Sequence, residues 1–469
     1  MAKRPVVLVH GYSDEGRSFE PWANVLKANG YDDVLDVNVV TYESLTNEVT
    51  IKDIAEAFER ALRKHDRLKV AGEPFDVIVH STGMLVVRSW LTAKGQTENR
   101  LARIKHLIGF APATFGSPLA HKGRGWLGAM VKGNKHLGPD FLEAGDLILD
   151  ALELGSRFTW DLAHTDLFGP KVFYGYSAET PYPFIFVGNE PYSGLIRQEF
   201  VNQPGTDGTV RWAGVSLDSR KVTMNLTVPP SPDRISLGPW TGKLSAPVVF
   251  IGGRNHGSIM SAPEETMQKL VLAALKVDSE EAYGAWAKDA AAVSKANEPE
   301  EKYQQFVIRM VDERGDPIPD YNLALYTKNA ENEIRFLDAF EVDVHPYVRD
   351  TSYRCFHADI GKLARLNLQN LWMQLTLSSG TILVGYRGYS TDPPPPLPPP
   401  PDETPAERER RLIREDKRPT EININLSPRL RGDQFNFFYP FTTTVVEIII
   451  DREPLPADEI ARLCRFIEL

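Results

Sequence analysis

Short apolar runs alternate with amphipathic stretches over the first 110 residues of the chain. Four runs that are apolar or rich in β-branched residues predict strands at 5–9, 34–42, 75–79 and 104–110. Between them, apolar residues at helical spacing predict helices at 19–28, 51–68 and 84–92. Strands that alternate with helices predict a mostly parallel sheet with helices on both faces, which is an α/β fold.

The strand rhythm stops between residues 118 and 168, where glycines are frequent and a helix is predicted at 140–154. We interpret this stretch as a helical insertion. Two interpretations stay open: a cap that completes the core, and a mobile lid that exposes an apolar surface to substrate.

The sheet pattern returns after the insertion. Strands are predicted at 183–187 and 248–251, with an extra hairpin at 215–227. Residues 261–264 match a capping box, which would open a helix through Leu275. Residues 1–278 are therefore predicted to form one α/β domain.

Beyond a polar helical linker at 279–301, the pattern becomes all-β. Branched and aromatic residues predict strands at 306–311, 321–327, 371–377, 382–386, 422–426 and 445–450. Residues 302–469 are therefore predicted to form a sandwich-like β-rich domain. Within it, residues 392–402 contain eight prolines, which favour a stiff polyproline II spacer or a long surface loop.

Composition narrows the class of partner. The chain has 469 residues, and 53 Lys plus Arg stand against 63 Asp plus Glu, which gives a net charge of −10. Nucleic acid attracts clustered positive charge, so we expect no nucleic acid partner. For the same reason, we do not expect anionic lipid to bind through charge alone. The two cysteines, Cys355 and Cys464, make neither a disulfide scaffold nor a zinc site, and we expect no metal and no cofactor.

The N-terminal residues do not match a signal peptide. The apolar run at 6–9 is shorter than the roughly 7–15 residues of a secretory core. No window reaches the roughly 20 apolar residues of a membrane-spanning helix. A cytoplasmic location is therefore the default expectation.

A candidate nucleophile lies in the pentapeptide from Val79 to Gly83, between a predicted strand and a predicted helix. A serine on such a sharp turn presents its hydroxyl outward, and Gly83 is small where the helix must pass close to the strand. The pentapeptide departs from G-x-S-x-G because Val79 replaces the first glycine. Ser81 is predicted as the nucleophile; the alternative is a serine that only caps the helix.

A serine hydroxyl needs an adjacent base, and His256 is the best candidate. It lies in a Gly-rich loop just after a predicted strand, where a side chain can reach the serine. Asp207, flanked by glycines between two predicted core strands, is the candidate acid, with Asp218 as the alternative. The order Ser81, Asp207, His256 is the order of nucleophile, acid and histidine in hydrolases of this type.

The turn after the first strand, His10-Gly11-Tyr12, is the candidate oxyanion turn. The backbone N–H groups of Tyr12 and Thr82 would stabilise the negative charge of a tetrahedral intermediate. His10 could serve as a base, but we interpret it as packing under this turn.

These motifs resemble those of α/β-hydrolase lipases and esterases. The resemblance runs from residue 6 to about 259 and includes the loop 111–118, Asp207-Gly208 and the loop 255–257. It implies an α/β-hydrolase domain with a helical lid insertion.

A more specific resemblance is to the membrane-associated phospholipase A/lysophospholipase A family of Legionella and Pseudomonas. It rests on the His-Ser-Thr-Gly sequence from His80 to Gly83, on the similar length and on the C-terminal β-rich domain. The family implies a phospholipid or lysophospholipid substrate, a dimer or tetramer, and peripheral membrane contact. The chain departs from the family pattern at Met84, where a second glycine is often found.

The sequence thus predicts a serine hydrolase that cleaves acyl esters, with a lipid as the favoured substrate (phospholipase A/lysophospholipase or lipase). Two alternatives stay open: a carboxylesterase of soluble short-chain esters, and a catalytically inert binding or assembly protein.

Overall fold

The computed structural model describes most of the chain, in two compact units. The first comprises Met1–Arg220, Pro239–Gln305 and Pro440–Thr443, and the second Lys221–Gly238, Phe306–Tyr439 and Thr444–Leu469. The described residues are 3–11, 18–37, 48–69, 74–94, 99–120, 146–177, 179–193, 203–240, 246–329, 331–340, 343–363, 370–381, 383–391, 404–405, 421–430 and 437–454.

A six-stranded parallel sheet forms the centre of the first unit, in the order β2-β1-β3-β4-β5-β8. Its strands are β1 (Val6–Val9), β2 (Val34–Val37), β3 (Phe75–His80), β4 (Ile104–Phe110), β5 (Tyr182–Gly188) and β8 (Val248–Ile251). Strands β1, β3, β4 and β5 are almost entirely buried, as the continuous apolar runs predict. The predicted parallel α/β sheet is confirmed.

Helices of the first unit connect and cover these strands. They are α1 (Glu20–Ala28), α2 (Ile51–Arg63), α3 (Gly83–Lys94), α4 (Arg100–Arg103), α5 (Asp146–Leu152), α6 (Arg157–Asp166), α7 (Ser258–Ser261), α8 (Glu265–Ala274) and α9 (Glu280–Asn297).

Helix α2 shows why these segments are helical. Thr50 and Asp53 form a capping box, in which each side chain accepts the backbone N–H of the other. Ile54, Phe58 and Leu62 repeat at helical spacing and are buried. Burial of each such side chain contributes about 1.5–3 kcal/mol, so the tertiary contact stabilises the helix more than its cap does.

Helix α9 lies in the segment predicted as a linker. Its Tyr283 and Trp286 belong to the hydrophobic core of the first unit. The Tyr283 hydroxyl donates to the carbonyl oxygen of Pro183 at 2.8 Å, and the Trp286 indole donates to that of Leu270 at 3.0 Å. This segment therefore packs as part of the α/β unit.

The second unit is β-rich. A four-stranded sheet has the order β11-β10-β14-β16, and a seven-stranded sheet has the order β12-β13-β9-β17-β6-β7, with β15 paired to β17. The strands are β6 (Ser219–Asn225), β7 (Ile235–Trp240), β9 (Tyr303–Asp312), β10 (Tyr321–Lys328), β11 (Ile334–Phe336), β12 (Asp343–Pro346), β13 (Tyr353–Asp359), β14 (Leu371–Leu377), β15 (Val384–Arg387), β16 (Glu421–Asn425) and β17 (Thr443–Pro454). Among its described residues, two short α-helices are α10 (Ile360–Leu363) and α11 (Ser427–Leu430).

One hydrophobic core contains side chains from both of these sheets. Leu323 and Leu375 come from the four-stranded sheet, and Phe306 and Ile448 from the seven-stranded sheet. Pairing in the four-stranded sheet is antiparallel. The predicted sandwich-like β-rich domain is confirmed as a fold class.

Several sequence interpretations fall wholly or partly outside the described residues. Of the helical insertion at 118–168, residues 121–145 are not described, and α5 covers part of the helix predicted at 140–154. The proline-rich segment 392–402 and the cysteine Cys464 also lie outside the described residues.

Candidate active site

Ser81 occupies the turn between strand β3 and helix α3. Its φ of +53° lies in the left-handed region, which costs a non-glycine residue about 1–3 kcal/mol. Hydrogen bonds hold it there: its N–H donates to the carbonyl oxygen of Phe110, and its own carbonyl accepts from Met84 and Ala113. Strain that is fixed in this way is characteristic of functional positions.

Two glycines let the backbone close tightly around this turn. A Cβ at Gly83 would lie 2.6 Å from the carbonyl oxygen of Val9, and one at Gly11 would lie 2.8 Å from Cβ of Ser81. Both positions therefore require glycine, because a side chain would push the turn away from strand β1.

The two departures from the usual motif have a packing explanation. Val79 pairs in register with Gly109 of β4, so the residue beside Val79 on the neighbouring strand has no side chain. A Cβ at Gly109 would lie 2.9 Å from Cε of the buried Met84. Gly109 thus provides the space that Met84 occupies.

Asp207 and His256 form a buried pair after the last parallel strands. Oδ1 of Asp207 accepts the backbone N–H groups of Thr209 and Val210 at 3.0 and 2.9 Å, which turns Oδ2 toward the imidazole. Nδ1 of His256 lies 3.0 Å from Oδ2, and the His256 backbone N–H donates to the carbonyl oxygen of Asp207 at 3.0 Å. The alternative acid, Asp218, lies near Tyr283 instead, where its charge helps burial to raise the Tyr283 pKa.

Because a carboxylate oxygen accepts, Nδ1 of His256 donates to Asp207, and Nε2 is the nitrogen left to take a proton. Ser81 and His256 are both described, and no direct hydrogen bond joins their side chains. In free enzymes such catalytic bonds are often long and tighten only in the complex with substrate.

The residue before Ser81 connects the two. Nε2 of His80 lies 2.9 Å from the carbonyl oxygen of His256, and the two imidazole rings are 4.6 Å apart between centroids. His256 is thereby in contact with the strand end that carries Ser81. No sequence pattern signals this hydrogen bond, because its acceptor is a main-chain oxygen 176 residues away.

One of the two predicted oxyanion donors can be placed. Thr82 is buried directly before helix α3, where backbone N–H groups have no acceptor within the helix and the helix dipole favours negative charge. Tyr12 lies outside the described residues. His10 is buried and packs edge-on against Phe19, with ring centroids 4.6 Å apart.

Two further features near the site were not predicted. Ring carbons of Tyr192 lie 2.5 and 2.9 Å from where a Cβ of Gly208 would be, so this tyrosine packs on the loop that carries Asp207.

The second feature is the buried Arg88 on α3, which forms a bidentate ion pair with Asp166 at 2.8 and 2.9 Å. Tyr174 donates to the same carboxylate, and burial raises its pKa well above the usual value, so it stays protonated.

No group of three or more His, Cys, Asp or Glu side chains in the described part of the chain could hold a metal ion. Across the same residues, every helix is too short or too polar to traverse a bilayer.

Comparison with models of known protein families and with curated protein sequences gave no match. Solved structures are similar. Phospholipase PlaB from Legionella pneumophila has a TM-score of 0.72 and 21% identity, with 96% of this chain and 94% of that chain covered. The same protein in complex with thio-NAD gives a TM-score of 0.71 and 22% identity over the same shares.

A weaker likeness is to the lipase BlEst2 of Bacillus licheniformis, with a TM-score of 0.38, 18% identity, and 58% of this chain and 92% of that chain covered. The PlaB comparisons show that the chain has an α/β-hydrolase fold with a β-rich second unit. The resemblance inferred from the motifs is therefore confirmed for the fold.

Proposed function

We propose that this protein is a serine hydrolase that cleaves carboxylic esters through an acyl-enzyme. One observation carries the proposal: a buried Asp207–His256 pair lies at the sheet edge where Ser81 is held in a strained turn. Contact between His80 and His256 supports the proximity of base and nucleophile. The PlaB-like fold supports the same chemistry.

In the first half of the reaction, Oγ of Ser81 attacks the ester carbonyl carbon while Nε2 of His256 takes the hydroxyl proton. Asp207 keeps the imidazole oriented through Nδ1 and stabilises its positive charge. The tetrahedral intermediate then collapses, the C–O bond to the alcohol breaks, and His256 returns its proton to that alcohol.

In the second half, water attacks the acyl-enzyme with His256 again as the base, which releases the carboxylic acid and Ser81. The backbone N–H groups of Thr82 and Tyr12 would stabilise both tetrahedral intermediates. Loss of one such donor typically costs about 3 kcal/mol.

We propose a lipid as the substrate, either a phospholipid, a lysophospholipid or a neutral lipid. The name of the similar Legionella structure, a phospholipase, supports this choice. Peripheral membrane contact and a dimer or tetramer stay predictions that rest on the sequence resemblance.

The chemistry is tested with Ser81→Ala and a fluorophosphonate probe. We expect the wild type to be labelled at Ser81, and Ser81→Ala to lose both labelling and p-nitrophenyl-ester turnover, by a factor of roughly a million. A folded wild-type protein without labelling or turnover would favour the inert binding protein. Full activity of pure Ser81→Ala would contradict the nucleophile.

The substrate class is tested separately. Purified protein is compared on phospholipid, lysophospholipid, triglyceride and short p-nitrophenyl esters in one assay series. Preference for either phospholipid class supports a phospholipase A or lysophospholipase. Turnover confined to the short soluble esters would replace the lipid proposal with a carboxylesterase.

A further inference from the structure

We infer that His80 is a positioning residue that holds His256 in place for catalysis. His80 is the last residue of strand β3 and is 7% exposed, directly before Ser81. The inference deepens the proposed hydrolase function and rests on it.

The hydrogen bond has only one direction. A carbonyl oxygen accepts and never donates, so Nε2 of His80 must carry the proton that it shares with the His256 main chain. His80 therefore acts as a donor, and its ring is oriented by that bond.

This bond completes a clamp on the His256 backbone. Its N–H donates to the carbonyl oxygen of Asp207 at 3.0 Å, and its carbonyl oxygen accepts from His80 at 2.9 Å. One side of the base is thus tied to the acid loop and the other to the strand that carries the nucleophile.

The clamp restricts the backbone of a glycine-rich loop. His256 lies between Gly253, which has a φ of +66°, and Gly257, in a glycine-rich segment that many backbone conformations fit. The imidazole bond to Asp207 alone would leave the ring able to pivot. The ring contact with His80, at 4.6 Å and an interplanar angle of 47°, limits that pivot.

The test compares His80→Leu, which fills the space without a donor, with His80→Gln, whose side-chain amide can donate. We expect His80→Leu to lower kcat about a hundredfold with KM nearly unchanged, because small misplacements of a catalytic group cost about that much. We expect His80→Gln to recover most of the loss.

His106→Gln is the matched control. His106 is also buried in the parallel sheet and also bonds a main-chain oxygen, that of Val277 at 2.6 Å. It lies at the other end of the strands, so its loss should leave kcat unchanged.

A second measurement does not depend on turnover. The exchange rate of the His256 Nδ1 proton with solvent is followed by its low-field proton resonance, which is assigned by its absence from His256→Ala. We expect His80→Leu to speed this exchange about tenfold, because local opening of the loop becomes easier.

Unchanged kcat and unchanged exchange in folded His80→Leu would overturn the inference. A His80→Gln variant as slow as His80→Leu would overturn the role of the hydrogen bond. If the wild type neither hydrolyses esters nor labels at Ser81, the proposed function fails, and the exchange rate still decides whether His80 positions His256.

Discussion

Where the first unit is described, it contains two buried histidine–aspartate pairs, one at each end of the same parallel sheet. At the carboxyl ends of the strands, His256 lies 3.0 Å from Asp207; at the amino ends, His106 of β4 lies 2.7 Å from Asp76 of β3. All four side chains are nearly or fully buried. Composition, burial and distance therefore do not separate a catalytic pair from a structural one.

The second ring nitrogen separates them. Nε2 of His106 lies 2.6 Å from the carbonyl oxygen of Val277 and Nδ1 lies 2.7 Å from Oδ1 of Asp76, so both ring nitrogens are engaged in hydrogen bonds. Such a ring has no nitrogen left to take a proton from a serine. Nδ1 of His256 is occupied by Asp207, and Nε2 stays available for proton transfer.

The largest expected effect comes from exchanging each aspartate for asparagine. Asp207→Asn should lower kcat about ten-thousandfold, because the amide favours the wrong imidazole tautomer. Asp76→Asn makes the same change in the other pair and should leave kcat unaltered. Steady-state kinetics on a p-nitrophenyl ester would measure both.

Circular dichroism spectra of both variants would show that the fold is kept. Equal losses in the two variants would break the comparison, since they would mean that the pairs act on activity through stability alone.

The next effect is on stability, and here we expect the His106 pair to matter more than the His256 pair. His106→Leu removes the hydrogen bonds of the buried imidazole to Asp76 at 2.7 Å and to the carbonyl oxygen of Val277 at 2.6 Å, so we expect the free energy of unfolding to fall by about 3 kcal/mol. His256→Leu should cost less, about 1 kcal/mol, and abolish turnover. Urea denaturation of each variant provides the measurement. A larger loss of stability in His256→Leu than in His106→Leu would refute this assignment.

Much of this sheet could be predicted from the sequence, because buried parallel strands are continuous apolar runs. Strand β4 coincides with its prediction at both ends. In the second unit, strand β13 was missed, since Arg354, His357 and Asp359 interrupt its apolar pattern although most of the strand is buried. Tertiary contacts bury those polar residues, and no local pattern reports them.

Helix ends and through-space contacts were harder to predict. Helix α8 does not begin with the capping box expected at Ser261; Glu264 is its N-cap and accepts the N–H groups of Thr266 and Met267. The chain order of Ser81, Asp207 and His256 identified the candidate site. Sequence order could not identify the hydrogen bond from His80 to the carbonyl oxygen of His256. That bond depends on how the end of strand β3 and the His256 loop meet in space.

The smallest expected effect concerns Tyr31, which lies near the amino-end pair. Burial and the charge of Asp76 raise its pKa from 10.0 to about 12, while Arg4 opposes the shift. A raised pKa means that the folded protein favours the neutral phenol, so this stabilisation is complete below pH 10 and is lost as the pH rises toward 12.

Tyr31→Phe should therefore flatten the fall of unfolding free energy between pH 10 and pH 12, measured by urea denaturation at a series of pH values. Tyr439→Phe, at a position 46% exposed, is the control for the loss of a tyrosine hydroxyl. Asp76→Asn should move the Tyr31 titration to lower pH in near-ultraviolet absorbance, and Asp207→Asn should not. A shift in the second variant would mean that the two pairs are electrostatically coupled across the sheet, which would end their treatment as independent sites.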